Sequence, residues 1–314
     1  MRTITGLLTL LLLCSVPACA QDNHSGNHHS SAPATEAGET QEWARQKLAK
    51  SPRHREWVTV KNGNREVSSF VVYPEVKDKA TAVVVIHEIF GMSDWVQSLT
   101  DQLAEAGYIA IAPDLLSGMG PNGGGTSSLG NGVGQAIRDL PPAQITADLN
   151  AVADYVSKLP ASNGKVVVAG FCWGGGESFA FATNNSKIKA AYVFYGPTPA
   201  TQEGPDKAVL AKIAAPVYGF YAGNDARINA TLPATAAAMA ELKKTFDQVT
   251  YEGAGHGFMR AGEAPEPVAP QPKGDKEADD KTAADFQKAS TQWKANRKAR
   301  ADAWARWKKI LAGI

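Results

Sequence analysis

The sequence is poor in cysteine and histidine, the side chains that build disulfide frameworks and many metal sites. There are three cysteines, Cys14, Cys19 and Cys172, and six histidines. Neither sign of charge prevails, because 32 basic residues balance 31 acidic ones to a formal net charge of +1. A chain without a long-range field of one sign is a poor ligand for nucleic acid or an anionic membrane surface. We therefore expect neither as a partner.

A short apolar run lies near the N-terminus. Residues 7–13 are apolar except for Thr9, Arg2 precedes them, and the small-residue sequence Ala18-Cys19-Ala20 follows. This order is typical of an export signal, and the run is too short to span a bilayer as a mature helix. We predict a signal peptide over residues 1–20 and a periplasmic or secreted product.

Two alternatives remain for this segment. Residues 16–19 resemble the lipobox of bacterial lipoproteins, in which Cys19 would carry a lipid anchor and hold the protein at a membrane. The other alternative is a buried N-terminal helix, against which the polar stretch that follows argues.

Residues 21–41 contain almost no large apolar side chain. Such a segment cannot bury enough surface to offset the entropy of ordering it, so we predict a disordered tether. His24, His28 and His29 could bind a metal loosely there, but a solvated linker is the favoured interpretation. Only Cys172 then remains in the folded part. An internal disulfide is excluded, and the thiol has either a packing or a chemical role.

Residues 42–314 are predicted to form a single domain in which strands and helices alternate. Predicted strands cover 66–73, 81–86, 108–112, 165–169, 190–195, 216–221 and 248–251. Predicted helices cover 94–106, 145–159, 177–183, 232–244 and 283–311. This alternation predicts an α/β fold with a mostly parallel central sheet and helices on both faces. Residues 117–134 are expected to form a surface loop and 262–281 an exposed excursion, and the tryptophans of the last helix are expected to dock it against the body.

The strongest local motif is Gly170-Phe171-Cys172-Trp173-Gly174-Gly175, which follows a predicted strand and opens a helix. This context is that of a nucleophile elbow, in which small neighbours permit a strained turn. Cys172 would project at a helix N-terminus, where the helix dipole favours the thiolate. A buried structural cysteine is the alternative. A phosphate-binding loop is disfavoured because its Lys-Ser/Thr ending is missing.

An elbow nucleophile needs an acid and then a histidine further along the chain. His256, in Gly255-His256-Gly257, is the only histidine after Cys172. Asp225 stands where a predicted strand meets a loop, so its carboxylate could orient the imidazole. Asp206 and Asp247 are weaker candidates because neither directly follows a strand. Asp225 could instead be an ordinary turn residue, and His256 an exposed loop residue.

The segment His87-Glu88-Ile89-Phe90-Gly91 follows the predicted strand 81–86. The loop at this place supplies one backbone N–H of an oxyanion hole, and the residue after the nucleophile supplies the other. We assign these groups to Ile89 or Glu88 and to Trp173.

The motifs HEIFG, GFCWGG, GND and GHGF together resemble those of the dienelactone hydrolase family, over residues 58–260. The resemblance implies an α/β-hydrolase fold and a triad of Cys172, His256 and Asp225. It also implies that Glu88 contacts the resting thiol and helps to generate the thiolate, that Ile89 and Trp173 form the oxyanion hole, and that Arg260 binds a substrate carboxylate. Two features depart from the family. Gly257 replaces a serine, and a second carboxylate-binding arginine has no clear match, with Arg138 only a guess.

We therefore hypothesise an exported hydrolase that cleaves a small ester or lactone. His256, oriented by Asp225, keeps Cys172 as thiolate with Glu88 as a possible proton shuttle, and an acyl-thioester forms and is hydrolysed. No metal or organic cofactor is required, and we expect a monomer. The alternatives are a general carboxylesterase of the same fold, a non-catalytic binding lipoprotein with a retained pocket, and a thiol redox sensor. The last lacks a resolving cysteine.

Overall fold

A computed structural model of the chain describes residues 41–314, and these residues belong to one compact unit. The predictions made for the signal peptide, for most of the tether, and for Cys19 and His24, His28 and His29 lie outside the described residues. Among residues 41–314, no helix is both long and apolar enough to cross a membrane.

The described residues form ten strands and eleven α-helices, together with two 3-10 turns at Pro121–Gly123 and Gly130–Gly132. The strands are β1 (Arg55–Asn62), β2 (Arg65–Val72), β3 (Ala80–Ile86), β4 (Ile109–Pro113), β5 (Ser162–Phe171), β6 (Ala191–Phe194), β7 (Ala200–Thr201), β8 (Gly204–Pro205), β9 (Val217–Ala222) and β10 (Phe246–Tyr251). The helices are α1 (Glu42–Ala49), α2 (Asp94–Glu105), α3 (Thr126–Leu129), α4 (Val133–Asp139), α5 (Pro142–Ser157), α6 (Trp173–Asn184), α7 (Lys207–Leu210), α8 (Ala226–Asn229), α9 (Leu232–Glu241), α10 (Phe258–Ala261) and α11 (Lys276–Leu311).

Eight strands form one sheet in the order β1-β2-β4-β3-β5-β6-β9-β10, and β7 pairs only with β8. The pairs β1–β2 and β2–β4 are antiparallel, and every other pair in the large sheet is parallel. In β3, Val84 and Ile86 join the apolar cluster on one face, whereas Val83 and Val85 join the cluster on the other. The sheet is therefore covered on both faces, and the predicted mostly parallel α/β fold is confirmed.

The structure differs from the sequence-based prediction at several ends. Helix α1 and strand β1 were not predicted. Strand β1 is largely exposed and shows no regular apolar alternation, so its sequence gives little signal of a strand. Helix α6 begins at Trp173 rather than at 177, and α11 begins at Lys276 rather than at 283. Asp275 caps α11 by accepting from the Ala278 N–H at 3.3 Å, so helix replaces the end of the predicted excursion. Residues 117–134 include short helical turns within the predicted loop.

Helix α11 docks on the sheet through its C-terminal half, as its tryptophans predicted. Trp307 is fully buried, and its ring lies 4.9 Å from that of Phe194 and 6.0 Å from that of Phe171. Trp293 lies near the start of the docked half, where its indole N–H donates to the Ala264 carbonyl at 2.9 Å. The helix thus packs directly under the end of β5, next to Cys172.

The same helix holds two loops at the carboxyl edge of the sheet. The Asn296 side-chain oxygen accepts from the Gly255 N–H at 2.8 Å. The Gln292 amide donates to the Gly253 carbonyl at 2.9 Å and accepts from the Asn224 side chain at 3.2 Å. Asn224 and Gly255 adjoin the two predicted triad residues that come from loops. Helix α11 therefore connects the loop that carries Asp225 to the loop that carries His256.

Replacing Trp307 by alanine should destabilise the whole domain. Loss of a fully buried indole leaves a cavity and costs about 3–5 kcal/mol of unfolding free energy. The control is Trp57→Ala, because Trp57 is 50% exposed on β1 and should cost about 1 kcal/mol or less. Urea unfolding followed by circular dichroism measures both. Equal losses for the two variants would contradict the docking of α11 as a core contact.

Candidate active site

Cys172 occupies a sharp turn between β5 and α6. Its backbone has φ 56° and ψ −118°, a conformation that costs a non-glycine residue on the order of 1–3 kcal/mol. A Cβ on Gly170 would lie 1.7 Å from the Gly174 carbonyl oxygen, and a Cβ on Gly174 would lie 2.3 Å from the carbonyl oxygen of His87. No larger residue fits at either glycine. The backbone is therefore the strained strand-to-helix turn that the glycine pattern predicted.

Cys172, His256 and Asp225 meet at the carboxyl edge of the sheet. The Nε2 atom of His256 lies 3.0 Å from the Cys172 Sγ, and its Nδ1 lies 2.5 Å from Asp225 Oδ2. A carboxylate accepts hydrogen bonds, so Nδ1 carries the imidazole proton and Nε2 is left to accept from the thiol. Asp225 also caps α8, where its second oxygen accepts from the Ile228 N–H at 3.4 Å. The Asp225 carboxylate thus contacts the imidazole and caps a helix at the same time.

Glu88 lies beside this trio but faces other partners. Its carboxylate, on a residue 2% exposed, accepts from the Arg260 Nε at 2.9 Å and from the Tyr195 hydroxyl at 3.2 Å. Arg260 also lies over the Phe90 ring, 5.1 Å from its centroid. No hydrogen bond joins Glu88 to Cys172. The contact with the resting thiol that the resemblance implied is therefore replaced by an ion pair with Arg260.

Opposing effects act on the Cys172 thiol. Burial, and then the negative charge of Glu88, raise its pKa to about 11, whereas hydrogen bonds from the backbone of Trp173 and Ile89 and the charge of Arg227 act in the opposite direction. Burial and Glu88 prevail, so the resting group is a neutral thiol at physiological pH. The raised pKa argues against the expectation that the helix N-terminus and His256 maintain a resting thiolate.

The predicted oxyanion donors lie at the sulfur. The backbone N–H groups of Trp173 and Ile89 lie close enough to Sγ to lower the pKa of the thiol, so both are near the place where a carbonyl carbon would bond to the sulfur. Trp173 begins α6, and Ile89 lies in the loop after β3. The arrangement therefore offers two preorganised donors to an oxygen on that carbon.

Three other candidates from the sequence have partners of a different kind. Asp206 caps α7, where its carboxylate accepts from the Val209 N–H at 3.1 Å. Asp247 lies on β10 and pairs with Arg306 at 3.0 Å. Arg138 is exposed on α4 and donates to the Gln135 side chain at 2.9 Å. Among the described residues, no hydrogen bond or ion pair joins any of these three side chains to Cys172.

Two residues of the site were missed from the sequence. Tyr195 directly follows β6, has φ 40°, and its ring lies 5.1 Å from that of His256. Its place just beyond a parallel strand was a usable signal, because Cys172 and Asp225 occupy equivalent places. Arg227 follows Asp225 by two residues and lies close enough for its charge to lower the pKa of Cys172. Nothing in the local sequence distinguished it from an ordinary surface arginine.

Strand order, elbow and loop placement define an α/β-hydrolase, and solved structures share this fold. A structure titled "Putative Dienelactone Hydrolase" from Klebsiella pneumoniae matches with a TM-score of 0.58 and 24% identity, covering 77% of this chain and 98% of that one. A dienelactone hydrolase-like promiscuous phosphotriesterase from metagenomic libraries matches with a TM-score of 0.61 and 19% identity, covering 83% and 98%.

Sequence comparison identifies the family. The model of the dienelactone hydrolase family matches residues 67–314. A protein of Saccharolobus solfataricus named "Putative carboxymethylenebutenolidase" is 30% identical over 227 residues, covering 62% of this chain and 84% of its own length. One of the same name from Yersinia pestis is 29% identical over 210 residues, covering 64% and 77%. The chain belongs to the dienelactone hydrolase family, and the prediction of a hydrolase is confirmed.

Within residues 41–314, no group of three or more histidine, cysteine, aspartate or glutamate side chains is placed to hold a metal ion.

Glu88→Gln should make the Cys172 thiol more acidic. The substitution removes the negative charge that opposes the thiolate, so alkylation by iodoacetamide at about pH 8 should be roughly tenfold faster than in the wild type. In the wild type the rate should keep rising as the pH approaches about 11, because the raised pKa keeps the thiol protonated below that value.

The control is Glu105→Gln, because Glu105 is exposed at the end of α2 and should leave the alkylation profile unchanged. A wild-type thiol that titrates near neutral pH, or equal profiles for Glu88→Gln and the wild type, would contradict this electrostatic balance.

Proposed function

We propose that the chain hydrolyses small carboxylic esters or lactones, with Cys172 as nucleophile, His256 as general base and Asp225 as the group that orients the imidazole. The observation that carries the proposal is a pair of contacts made by the His256 imidazole. Its Nε2 lies 3.0 Å from Cys172 Sγ, and its Nδ1 lies 2.5 Å from the Asp225 carboxylate. They join three segments that lie far apart along the chain. Membership in the dienelactone hydrolase family supports the same reaction.

Attack begins from the neutral thiol. As the sulfur approaches a carbonyl carbon, His256 Nε2 takes the thiol proton, and the Asp225 carboxylate stabilises the resulting imidazolium. The N–H groups of Ile89 and Trp173 stabilise the oxyanion. Loss of one such donor costs about 10²- to 10³-fold in rate. Collapse expels the leaving alcohol, which takes a proton from His256, and leaves an acyl-thioester on Cys172.

Water completes the cycle. The neutral His256 removes a proton from a water molecule, which attacks the thioester carbonyl in the same oxyanion hole. The sulfur leaves and recovers its proton from the imidazolium. A thiolate is a good leaving group as well as a good nucleophile, so a substrate with a stable leaving group, such as an enol ester or lactone, suits this site better than an amide.

The charges near Cys172 favour substrates that carry a carboxylate. Arg260 is paired with Glu88, and an anionic substrate group would compete with Glu88 for that guanidinium. Freed from Arg260, the Glu88 carboxylate would become available as a second acceptor for the thiol proton. Arg227, exposed on α8, adds a positive charge on the same side of the site.

We further propose that the protein is exported. The support is the sequence of residues 1–20, with its basic start, short apolar run and Ala18-Cys19-Ala20 cleavage site. The favoured product is a soluble periplasmic or secreted protein, and a lipid on Cys19 is the alternative.

Removal of the nucleophile should abolish turnover. Cys172→Ala and His256→Ala should each lower kcat/KM for p-nitrophenyl acetate and for a dienelactone by about 10⁴-fold or more. The wild type should show an acetyl group on Cys172 by mass spectrometry during turnover. The matched control is Asp247→Asn, which alters a carboxylate that is 58% exposed and pairs with Arg306.

The kcat/KM of Asp225→Asn should fall by several orders of magnitude, whereas Asp247→Asn should keep the wild-type kcat/KM. Equal low rates in the wild type and Cys172→Ala would instead favour a binding protein that retains the pocket.

Mass spectrometry of the mature protein from a bacterial host tests the export proposal. A mature N-terminus at Gln21 is expected, because cleavage follows the small-residue site. A lipid on Cys19 would replace the soluble form by an anchored one, and an intact Met1 in the accumulated protein would overturn export.

A further inference from the structure

His87 is the first residue after β3, in the loop that carries Ile89, and it takes no part in the contacts among Cys172, His256 and Asp225. It is fully buried, between the end of β3 and the elbow. Its side chain contacts both segments that supply the proposed oxyanion donors.

The first contact is with the loop after β3. The Nδ1 atom of His87 lies 2.8 Å from the carbonyl oxygen of Glu88, and because a carbonyl only accepts, Nδ1 carries the proton. That carbonyl and the Ile89 N–H belong to one planar peptide group, so the direction of one fixes the direction of the other. The Gly91 N–H donates to the same oxygen at 3.1 Å. His87 therefore supplies one of two bonds that aim the Ile89 N–H.

The second contact is with the elbow. The His87 ring stacks on the Trp173 indole, with centroids 5.4 Å apart and planes 23° from parallel. The His87 carbonyl oxygen is also so close to Gly174 that a Cβ there would lie 2.3 Å away. One residue thus touches the two segments that hold the two N–H groups, and it sets the spacing between them.

The protonation state of His87 suits a structural donor. Burial lowers its pKa, while the nearby Asp114 carboxylate opposes this to a smaller extent, so the ring is neutral. With the proton on Nδ1, the Nε2 atom carries none, and it is buried without a hydrogen-bond partner among the described residues. In the proposed mechanism proton transfer belongs to His256, whereas the His87 ring donates to the Glu88 carbonyl and stacks on Trp173.

We propose that His87 is a positioning residue that holds the Ile89 and Trp173 N–H groups in the geometry of the oxyanion. The inference rests on the proposed function, because it presumes attack by Cys172 on a carbonyl. The proposal assigns to the His87 side chain a role in stabilising the transition state rather than in binding the substrate.

The test compares two substitutions of His87. His87→Phe retains a stacking ring but has no donor, and it should lower kcat for p-nitrophenyl acetate about 10- to 100-fold, with KM unchanged within about twofold. His87→Asn places an amide N–H near the position of Nδ1, and it should recover most of the lost kcat. The matched control is His54→Phe, because His54 also stacks on an aromatic ring at 5.4 Å but is exposed on the surface.

Alkylation of Cys172 by iodoacetamide provides the second measurement, because that displacement forms no oxyanion. Its rate depends on the two N–H groups only through the pKa of Cys172, so in His87→Phe it should fall much less than the esterase kcat, and in His87→Asn it should stay close to the wild-type rate. The positioning role would be overturned by an unchanged kcat in His87→Phe, or by an equal loss of kcat in His87→Phe and His87→Asn. It would also be overturned if the alkylation rate fell by the same factor as kcat. If His87→Phe does not fold, His87→Met, which also lacks a donor, is judged by the same criteria.

Failure of the proposed function looks different. In that case the wild type itself would form no acyl group on Cys172, or Cys172→Ala would keep the wild-type rate. If the wild type is acylated and only the His87 variants behave unexpectedly, the positioning role alone is wrong.

Discussion

The position of the Cys172 sulfur depends on a close approach between backbone segments at the end of β5. Gly170 touches the carbonyl of Gly174, and Gly174 touches that of His87, at distances that leave no room for a side chain. This close packing holds Cys172 at a φ of 56°. For a residue other than glycine, that conformation is less stable than an ordinary one by on the order of 1–3 kcal/mol. The strain is maintained by the packing of β3, β5 and α6 around this turn. It directs the thiol toward the loop from β10, where His256 lies.

The environment that positions the sulfur also keeps it unreactive at rest. Burial and the Glu88 charge outweigh the backbone donors and raise the thiol pKa, so in the proposed mechanism the group becomes a nucleophile only when a base and an electrophile act together. Oxidants attack thiolates rather than thiols, so a raised pKa also protects a solitary cysteine. This protection would matter in the oxidising compartment to which the proposed export would send the protein. Under the proposed function, the Glu88–Arg260 ion pair would connect the reactivity of the thiol with the charge of the substrate.

The sequence predicted the parts of the site that depend on chain order and on backbone shape. The elbow, the strand-end aspartate and the late histidine come after β5, β9 and β10, and parallel strands bring their carboxyl ends to one edge. The partners of Glu88 could not be predicted in this way, because Tyr195 and Arg260 reach it from separate elements through their side-chain conformations. The same limit explains β1 and the first turns of α11. Both are exposed, and an exposed element leaves little apolar periodicity to read.

Helix α11 shows how a segment with no catalytic motif becomes part of the site. Trp307 packs on Phe171, which adjoins Cys172, and Asn296 accepts from Gly255, which adjoins His256. Gln292 connects Gly253 with Asn224, which adjoins Asp225. Three of these contacts fall one residue away from Cys172, His256 or Asp225, so the helix holds the backbones that carry the proposed triad. Since a misplacement of about 1 Å can cost about 10²-fold in rate, the reactive geometry depends on the last forty residues as much as on the motifs.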